Sequence, residues 1–485
     1  MINFRSYPSM TKCVIPDNVN LSTTIFENTF RGMVNLKEVL LPNSITNMVN
    51  TFRGCTNLTT AVCGPKVTDM LDAYNGCTNL TTPVCGPNVT NMVNTYIGCA
   101  NLTTAVCGDN VIYMSRTYIG CANLTTPVCG PNVTEMNSTY SACHNLTTAV
   151  CGPNVTKMVG TYINCTNLTT PVCGDNVTSM AVAYDGCTNL TTAVCGSNVT
   201  DMQAAYANCI NLTTPVCGDN VIRMDRAYNG CTNLTTAVCG SNVTDMSNAY
   251  RNCYNLITPV CGPNVKEMSY AYHNCTNLTT AVCGLNVTHM INTYYNCPNL
   301  TTAVCGPNVI YMGWAYAGCR NLTIAACGDN VLSMSRAYYN CRNLITAVCG
   351  PNVMDMDWAY SCCNNITAAV CGPNVTNMYY AYNGCTNIQG NVYLYSNSVS
   401  NFRSCFFKRN TSNMLNIYVH AGTTTNTALT NVTSASSLVG TIVTWTDDST
   451  NSCKYNATQN IYIYYVSDVD AARIANGDPD YMGVT

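Results

Sequence analysis

Residues 56–77 read TNLTTAVCGPKVTDMLDAYNGC, and residues 78–99 repeat them almost unchanged as TNLTTPVCGPNVTNMVNTYIGC. Stepping by 22 from Leu36 lands on Leu or Ile every time until Ile388, which gives sixteen repeats. A fixed period of this length is typical of a solenoid, whose units are too small to bury a core alone and pack on their neighbours. The repeat therefore decides the fold class.

Two periodicities follow each other within one unit. The first half fits the frame LxxLxLxxN, which describes a short strand with these inward positions: Leu58, Ala61, Cys63 and the residue at 66, usually Asn. The second half has apolar residues at steps of three or four, the spacing of one helix face: Val67, Met70, Tyr74 and Cys77. Thr68 is a candidate N-cap and Gly76 a candidate terminator. We expect an α/β solenoid of 22-residue coils, with a parallel β-sheet on one face and short helical or 3₁₀ turns on the other.

The unit resembles the BspA-type leucine-rich repeat. The resemblance rests on VLLPNSITNMVNTFRGCTNL at 39–58 and AVCGPNVTNM at 369–378, and on the positions Leu41, Pro42, Ile45, Met48, Phe52 and Cys55. Later units differ, because they carry Cys at the Cys63 position, where the family prefers Ile, and Tyr where it prefers Phe. The resemblance covers about residues 13–388. It implies a leucine-rich-repeat solenoid that serves as an adhesive or recognition surface.

The cysteines form two columns. Of the 35 cysteines, 31 recur every 22 residues, from Cys55 to Cys385 and from Cys63 to Cys371. Neighbouring coils bring equivalent α-carbons to about 4.8 Å, but their side chains run parallel, which disfavours disulfides along a column. A bridge within one coil stays open, and buried free thiols are favoured. Without CxxC pairs or His-containing ligand spacings, no metal site is expected. Cys362 is the thiol that we expect to be exposed.

The other columns are predicted to be structural. Met and Tyr at helical spacing are expected in the core, with the Tyr hydroxyls at its rim. The Asn column from Asn88 to Asn374 is expected to form a hydrogen-bonded ladder to the backbone. The recurring NLT and NVT triplets match the glycosylation sequon, but the repeat alone explains them.

Charge and motif content exclude several classes of function. The chain carries 20 Lys and Arg and 23 Asp and Glu, a net charge of -3, without the basic stripe that nucleic acid requires. No apolar run is long enough for a spanning helix, and the N-terminus lacks the pattern of a signal peptide. The four histidines, His144, His273, His289 and His420, fall in no catalytic arrangement. We expect neither an enzyme nor a cofactor.

Two groups of residues are candidates for a binding surface. Outward rows of Thr and Val on the predicted strands would contact a partner subunit or cap, a repetitive polysaccharide or an ice-like lattice, unless they simply face solvent. Aromatic and arginine side chains gather late in the chain, either as anchors or as drift on a solvated face. The candidate residues are Thr60, Val62, Thr82, Val84, Thr104, Val106, Trp314, Arg320, Arg342, Trp358 and Tyr380.

The two ends differ from the repeats. Residues 1–35 are predicted to cap the stack, with Phe26, Phe30 and Met33 in its core. Residues 36–387 hold the repeats, and 388–485 read as a β-rich cap or attachment module. Its predicted strands are GNVYLYS, LNIYVHAG, LVGTIVTWT and NIYIYYVS, followed by a helix at 468–477 between Ser467 and Gly477.

The combined hypothesis is a nonenzymatic adhesion or recognition solenoid. A surface-like protein without a signal peptide is most simply released by lysis, which favours a phage virion fibre or decoration protein contacting a bacterial surface glycan or protein. The alternatives are an adhesin on the bacterial cell surface and a structural virion protein that bridges subunits. A homo-oligomer stays open.

Overall fold

The computed structural model describes residues 4–17, 25–394, 399, 401, 403–406, 408–420, 446–448, 453–456, 460–466, 469 and 472. The chain forms two compact units, Met1–Val243 and Thr244–Thr485. Most of both units consists of stacked 22-residue coils. The domain boundaries expected at 36 and 388 stay predictions.

Among these residues, regular elements lie near the ends of the chain. A 3₁₀ helix, Phe4–Ser6, precedes strands β1 (Lys12–Val14) and β2 (Glu38–Leu40), which pair in parallel. The second unit ends in five strands: β3 (Gly390–Leu394), β4 (Leu415–His420), β5 (Thr446–Asp448), β6 (Cys453–Asn456) and β7 (Ile461–Val466). Their order is β3-β4-β7-β6-β5, with β3, β4 and β7 parallel and β6 antiparallel to both of its neighbours.

The core of each coil is the set of columns that the sequence predicts. Leu58, Val67, Met70, Tyr74 and Cys77 are at most 1% exposed, and their equivalents repeat this burial. The core aromatic rings of successive coils stack with centroids 5.2–5.8 Å apart in both units. At the N-terminal end Phe26, Phe30 and Met33 are buried as predicted.

The helical turns that the spacing predicts do not form. In the segment after Thr68, alternate N–H groups point to different coils: Met70, Asp72, Tyr74 and Gly76 donate to carbonyls of the next coil at 2.7–3.1 Å. Between them, the N–H groups of Ala73 and Asn75 donate to carbonyls three residues back in their own coil, and that of Leu71 donates to the Asp69 carboxylate at 2.9 Å. Asp72 and Gly76 have φ of 55° and 79°. A left-handed residue every four positions prevents an α-helix, so the same apolar spacing is met by turns.

Because no helix forms, the predicted helix caps Thr68 and Gly76 have other roles. Thr68 does not cap a helix, because its hydroxyl donates to the carbonyl of Thr46 in the preceding coil at 3.3 Å. Gly76 supplies the left-handed conformation expected of a terminator, but it lies within a run of turns.

On the other side of the coil, the predicted sheet is reduced to isolated parallel bridges such as Thr60 to Thr82. The reason is the core tyrosine. The Tyr162 hydroxyl accepts a hydrogen bond from the Val150 N–H at 2.8 Å and donates to the Val150 carbonyl at 2.7 Å. In a continuous strand these two backbone groups would pair with a neighbouring coil. The tyrosine hydroxyl therefore finds a partner as predicted, but inside the core and not at its rim.

The coils with Phe support this role of the hydroxyl. Phe30 and Phe52 occupy the tyrosine column at the start of the chain and have no hydroxyl to donate. There the strand does form, and the Leu40 carbonyl of β2 accepts a hydrogen bond from Ile15 instead.

The C-terminal sheet contains three of the predicted strand segments, as β3, β4 and β7. The buried Arg409 donates to the carbonyls of Asn413 at 2.6 Å and Asn460 at 2.9 Å, which joins the segment before β4 to the residue before β7. Most of the segment 438–446 and of the helix predicted at 468–477 lies outside the described residues.

Candidate functional site

Of the Thr and Val rows predicted to point outward from the strand, only the Thr row is exposed. Thr60, Thr82 and Thr104 are exposed, whereas the companions Val62, Val84 and Val106 are half-buried. Thr59 is exposed as well, so the alternation expected of a strand is broken. The exposed row is two threonines wide, and its binding role stays a prediction.

The two thiol columns have different surroundings. Cys165 is fully buried and its thiol donates to the Tyr140 carbonyl at 3.1 Å, and burial raises its pKa to about 12. Cys63, predicted to point inward, is only half-buried, and burial raises its pKa to about 11. No disulfide joins the cysteines from Cys13 to Cys405 whose side chains the structure describes, and Cys362 is half-buried like most of the Cys63 column. Protonated thiols of this kind are poor nucleophiles and poor metal ligands.

The glycine after each half-buried cysteine is required by space. A β-carbon on Gly152 would lie 2.8 Å from the Cys129 sulfur and 3.0 Å from the Gly130 carbonyl oxygen. The CG pair thus lets successive coils approach closely, and neither residue needs a chemical role to explain its recurrence.

The most distinctive surface lies in the second unit. It is formed by partly exposed residues that stack on each other across successive coils, and we name them the aromatic row: Tyr270, His273, Tyr295, Trp314, Arg336, Tyr339, Trp358, Tyr379 and Tyr380. Trp358 stacks on Tyr380 with centroids 4.3 Å apart and planes 3° apart. The guanidinium of Arg336 lies over Trp314 at 5.1 Å and over Trp358 at 6.0 Å.

Both faces of the Trp358 ring are covered by neighbours in the aromatic row. Arg336 belongs to the coil before Trp358 and Tyr380 to the coil after it. At Trp358 a ligand would therefore meet the edge of the ring with its indole N–H. Flat stacking of a sugar on an open ring face is disfavoured at Trp358.

The backbone beneath the aromatic row is unfavourable for such side chains. Tyr270, Trp314, Trp358 and Tyr380 have φ between 53° and 59°, in the left-handed region that bulky residues avoid. In other coils the same turn carries Asn or Asp, as at Asn94 and Asp72, which adopt it readily, but also residues such as Val182 and Arg226. A bulky residue at this turn costs about 1 kcal/mol or more, and the repeat accepts that cost outside the aromatic row as well.

Charges within the aromatic row are few and paired. Arg336 and Asp357 form an ion pair at 3.5 Å, while burial raises the pKa of Asp357 against the effect of Arg336. Burial and the neighbouring Arg251 lower the pKa of His273 to about 4, so this imidazole is neutral at physiological pH.

Sequence reasoning located part of this surface. Trp314, Trp358 and Tyr380 are brought together as members of the aromatic row. Arg320 and Arg342 are exposed elsewhere on their coils, and no contact within the described residues joins them to the row. Tyr295, Tyr339 and His273 were missed, although they share the variable position three residues after the left-handed turn.

Comparison with known proteins agrees with this architecture. The family model described as "BspA type Leucine rich repeat region" matches six overlapping segments, 2–125, 74–191, 115–227, 159–279, 202–323 and 288–414. The chain belongs to the BspA-type leucine-rich-repeat family. This BspA-type chain shows no significant similarity to any curated protein sequence.

Two solved structures of bacterial proteins are similar to this BspA-type chain. A leucine-rich repeat protein from Bacteroides ovatus is 13% identical, with 79% of this chain and 86% of that chain covered at a TM-score of 0.50. A leucine rich cell surface protein from Faecalibacterium prausnitzii is 19% identical, with 56% and 86% covered at a TM-score of 0.40. At these identities the likeness concerns the fold.

Two further findings bear on function. Within the part of the chain that the structure describes, no three His, Cys, Asp or Glu side chains cluster as metal ligands. None of the helices among those residues has the length and apolar character needed to cross a membrane.

Proposed function

We propose that this chain is a nonenzymatic recognition protein that binds a protein partner through the aromatic row of its second unit. The observation that carries the proposal is the clustering of partly exposed Trp, Tyr and Arg side chains across successive coils, with Trp358 stacked on Tyr380 and Arg336 over Trp314. A cluster of partly exposed aromatic side chains that does not fill the core is available for a contact outside the chain.

The chemistry of the row suits a protein surface. Trp, Tyr and Arg are the residues that dominate binding energy at protein interfaces. Rings held by mutual stacking lose little side-chain entropy on binding, and their edges offer donors and apolar area together. Family membership supports a role in recognition or adhesion.

A paired substitution tests the role of the row. Asn is the residue that the repeat itself uses at this turn, so the double variant Trp314→Asn and Trp358→Asn should fold normally. We expect the labelled wild-type chain to bind some members of a panel of intact bacterial strains. That binding should fall about tenfold or more in the variant, a loss of about 1.4 kcal/mol.

Two controls distinguish a specific protein contact from nonspecific adsorption to the cells. Surface proteolysis of the cells should remove the binding, and Tyr113→Asn, at an exposed tyrosine in the first unit, should leave it intact. Full binding by the double variant, or unchanged binding to protease-treated cells, would rule out a protein partner at the aromatic row.

The biological setting belongs to the same proposal. We favour a phage virion fibre or decoration protein on the virion surface, with a bacterial cell-surface adhesin as the alternative and a bridging structural virion protein as the third. Mass spectrometry of purified phage particles and of washed host surface fractions distinguishes them. Stoichiometric presence in particles supports the virion, and enrichment on cells alone supports the adhesin.

A further inference from the structure

A second surface recurs at the same place in both units. It is a groove that runs across successive coils between the Asn column and the Thr68 column. In the first unit this Asn–Thr groove has a volume of about 660 Å³ and is lined by Lys66, Thr68, Asn88, Thr90, Asn110, Ile112, Asn132, Thr134 and Asn154. In the second unit the volume is about 560 Å³, between Lys266 and Asn352. Both volumes are in the range of ligand sites.

The asparagines on its wall are held in one orientation. The Nδ2 of Asn88 donates to the Pro65 carbonyl at 2.8 Å, that of Asn110 to the Pro87 carbonyl at 2.8 Å, and that of Asn132 to the Asp109 carbonyl at 2.9 Å. The second unit repeats this tether from Asn286 to Asn352. The predicted Asn ladder is thereby confirmed, on an exposed wall.

The tether of each asparagine Nδ2 leaves the Oδ1 atom of the same side chain available to a ligand. With Nδ2 engaged, the Oδ1 of each tethered asparagine receives no hydrogen bond from the residues that the structure describes, and it remains an acceptor. Thr68 and Thr90 donate their hydroxyl protons to carbonyls of the preceding coil, at 3.3 and 3.2 Å. The Thr288 hydroxyl lies 3.1 Å from the carbonyl of Lys266, but it also hydrogen-bonds the His289 ring nitrogen Nδ1 at 2.9 Å. The hydroxyls of Thr68 and Thr90 can then only accept, so acceptors recur along the walls at coil spacing.

The acceptor walls select among possible ligands. Phosphate and carboxylate polymers would meet a cationic donor only at the lysine that lines each groove, Lys66 or Lys266, and would place acceptors against acceptors elsewhere. An extended peptide would leave its carbonyls without donors, which costs free energy when they are desolvated. A polyhydroxylated chain is suited, because each hydroxyl is a rotatable donor and its C–H faces can contact the apolar wall at Ile112, Ile310 and Leu332.

We propose that the Asn–Thr groove binds a neutral polysaccharide chain that lies along the stack and donates hydroxyl hydrogen bonds to the asparagine Oδ1 atoms. Acceptors repeated about every 4.8 Å match an extended polymer better than a compact ligand. Each contact is weak, and repetition over the several coils of one groove raises the total affinity. The site shares no residue with the aromatic row and does not depend on the proposed protein partner.

Arginine substitutions on the groove wall test the proposal, because they block the groove and leave the asparagine hydrogen bonds in place. In the full chain, Ile112→Arg and Ile310→Arg are combined, since both residues are half-buried on the groove wall and their side chains make no hydrogen bond. The probes are soluble dextran, laminarin, yeast mannan and galactomannan, with polygalacturonate as the anionic comparison. Affinity electrophoresis and titration calorimetry measure the binding.

We expect at least one neutral polysaccharide to bind the wild-type chain and the affinity of the double variant to fall about tenfold or more. The matched control is Ile324→Arg, an exposed isoleucine outside the groove that adds the same charge, and it should bind as the wild type does. Circular dichroism and the thermal midpoint verify the fold of each variant.

Three results would overturn the proposal: no binding of any neutral polysaccharide, equal binding by the double variant, or preference for polygalacturonate. None of these results touches the aromatic row, whose test uses other residues and a protein-dependent readout.

Discussion

At the residue scale, the core tyrosine hydroxyl replaces hydrogen bonds that a strand would make between coils. We predict that Tyr162→Phe leaves the half-buried N–H and carbonyl of Val150 without their partner and destabilises the first unit by about 1–3 kcal/mol. Hydrogen exchange should show faster exchange of the Val150 amide, and the urea midpoint should fall. Tyr113→Phe, at an exposed ring, should change neither. Unaltered protection of Val150 would contradict the role assigned to the hydroxyl.

The glycine of the CG pair gives a second prediction at this scale. Gly152→Ala should destabilise the first unit by about 1–3 kcal/mol, because its β-carbon meets the Cys129 sulfur and the Gly130 carbonyl. Urea unfolding measures the loss, and adding Cys129→Ala should recover part of it by removing the nearest atom. The control is Gly98→Asn, in a column where Asn164 shows that asparagine fits. Equal tolerance of both glycine variants would disprove the steric account.

At the element scale, a buried arginine joins the segments of the C-terminal sheet. Burial lowers the pKa of Arg409 to about 10, and its guanidinium bonds backbone carbonyls beside β4 and β7. Arg409→Leu should therefore destabilise this sheet by about 2–4 kcal/mol, since several carbonyls lose a charged donor. Limited proteolysis after residue 388 reports the effect. Arg403→Leu, at an exposed arginine, is the control, and equal resistance of both variants would show that Arg409 is dispensable.

At the scale of the whole molecule, the many buried thiols and phenols link stability to alkaline pH. Burial raises the pKa of Cys121 and Cys165 from 9.0 to about 12, and it raises the pKa of Tyr162 well above 10. The protonated form is favoured in the folded chain, so the stabilisation is complete below pH 9 and is lost as the pH rises from 9 toward 12. Each buried thiol accounts for up to about 1.4 kcal/mol per pH unit in that window.

We therefore predict a steep fall of the urea midpoint above pH 9, with little change between pH 6 and 8. Circular dichroism with a thiol reductant present measures it, and return to pH 7 should restore the signal, which separates titration from chemical damage. A midpoint that stays constant up to pH 11 would mean that the buried columns do not govern stability.

The sequence predicted the repeat, the buried columns and the gathering of aromatic residues late in the chain, because burial follows periodicity directly. The prediction of short helices was wrong, because turns form in their place. Val67, Met70 and Tyr74 have helical spacing, but that spacing only requires one face to be buried, and a left-handed residue at Asp72 satisfies it without a helix. The strand was overestimated for a related reason, since the pattern LTTAVCG gives no sign that Tyr74 would bond the backbone of Val62.

The two candidate binding surfaces likewise combine features that the sequence shows with features that only the structure shows. The amino-acid sequence by itself determined which residue types recur at which positions, and hence the fold family and the presence of Trp314, Trp358 and Tyr380 as exceptions. Only the tertiary structure decided that Arg336 lies over both Trp314 and Trp358, and that tethered asparagines present acceptors along a groove. The physical reason is that both surfaces are made between coils, by residues about 22 positions apart, so their geometry depends on how one coil lies on the next.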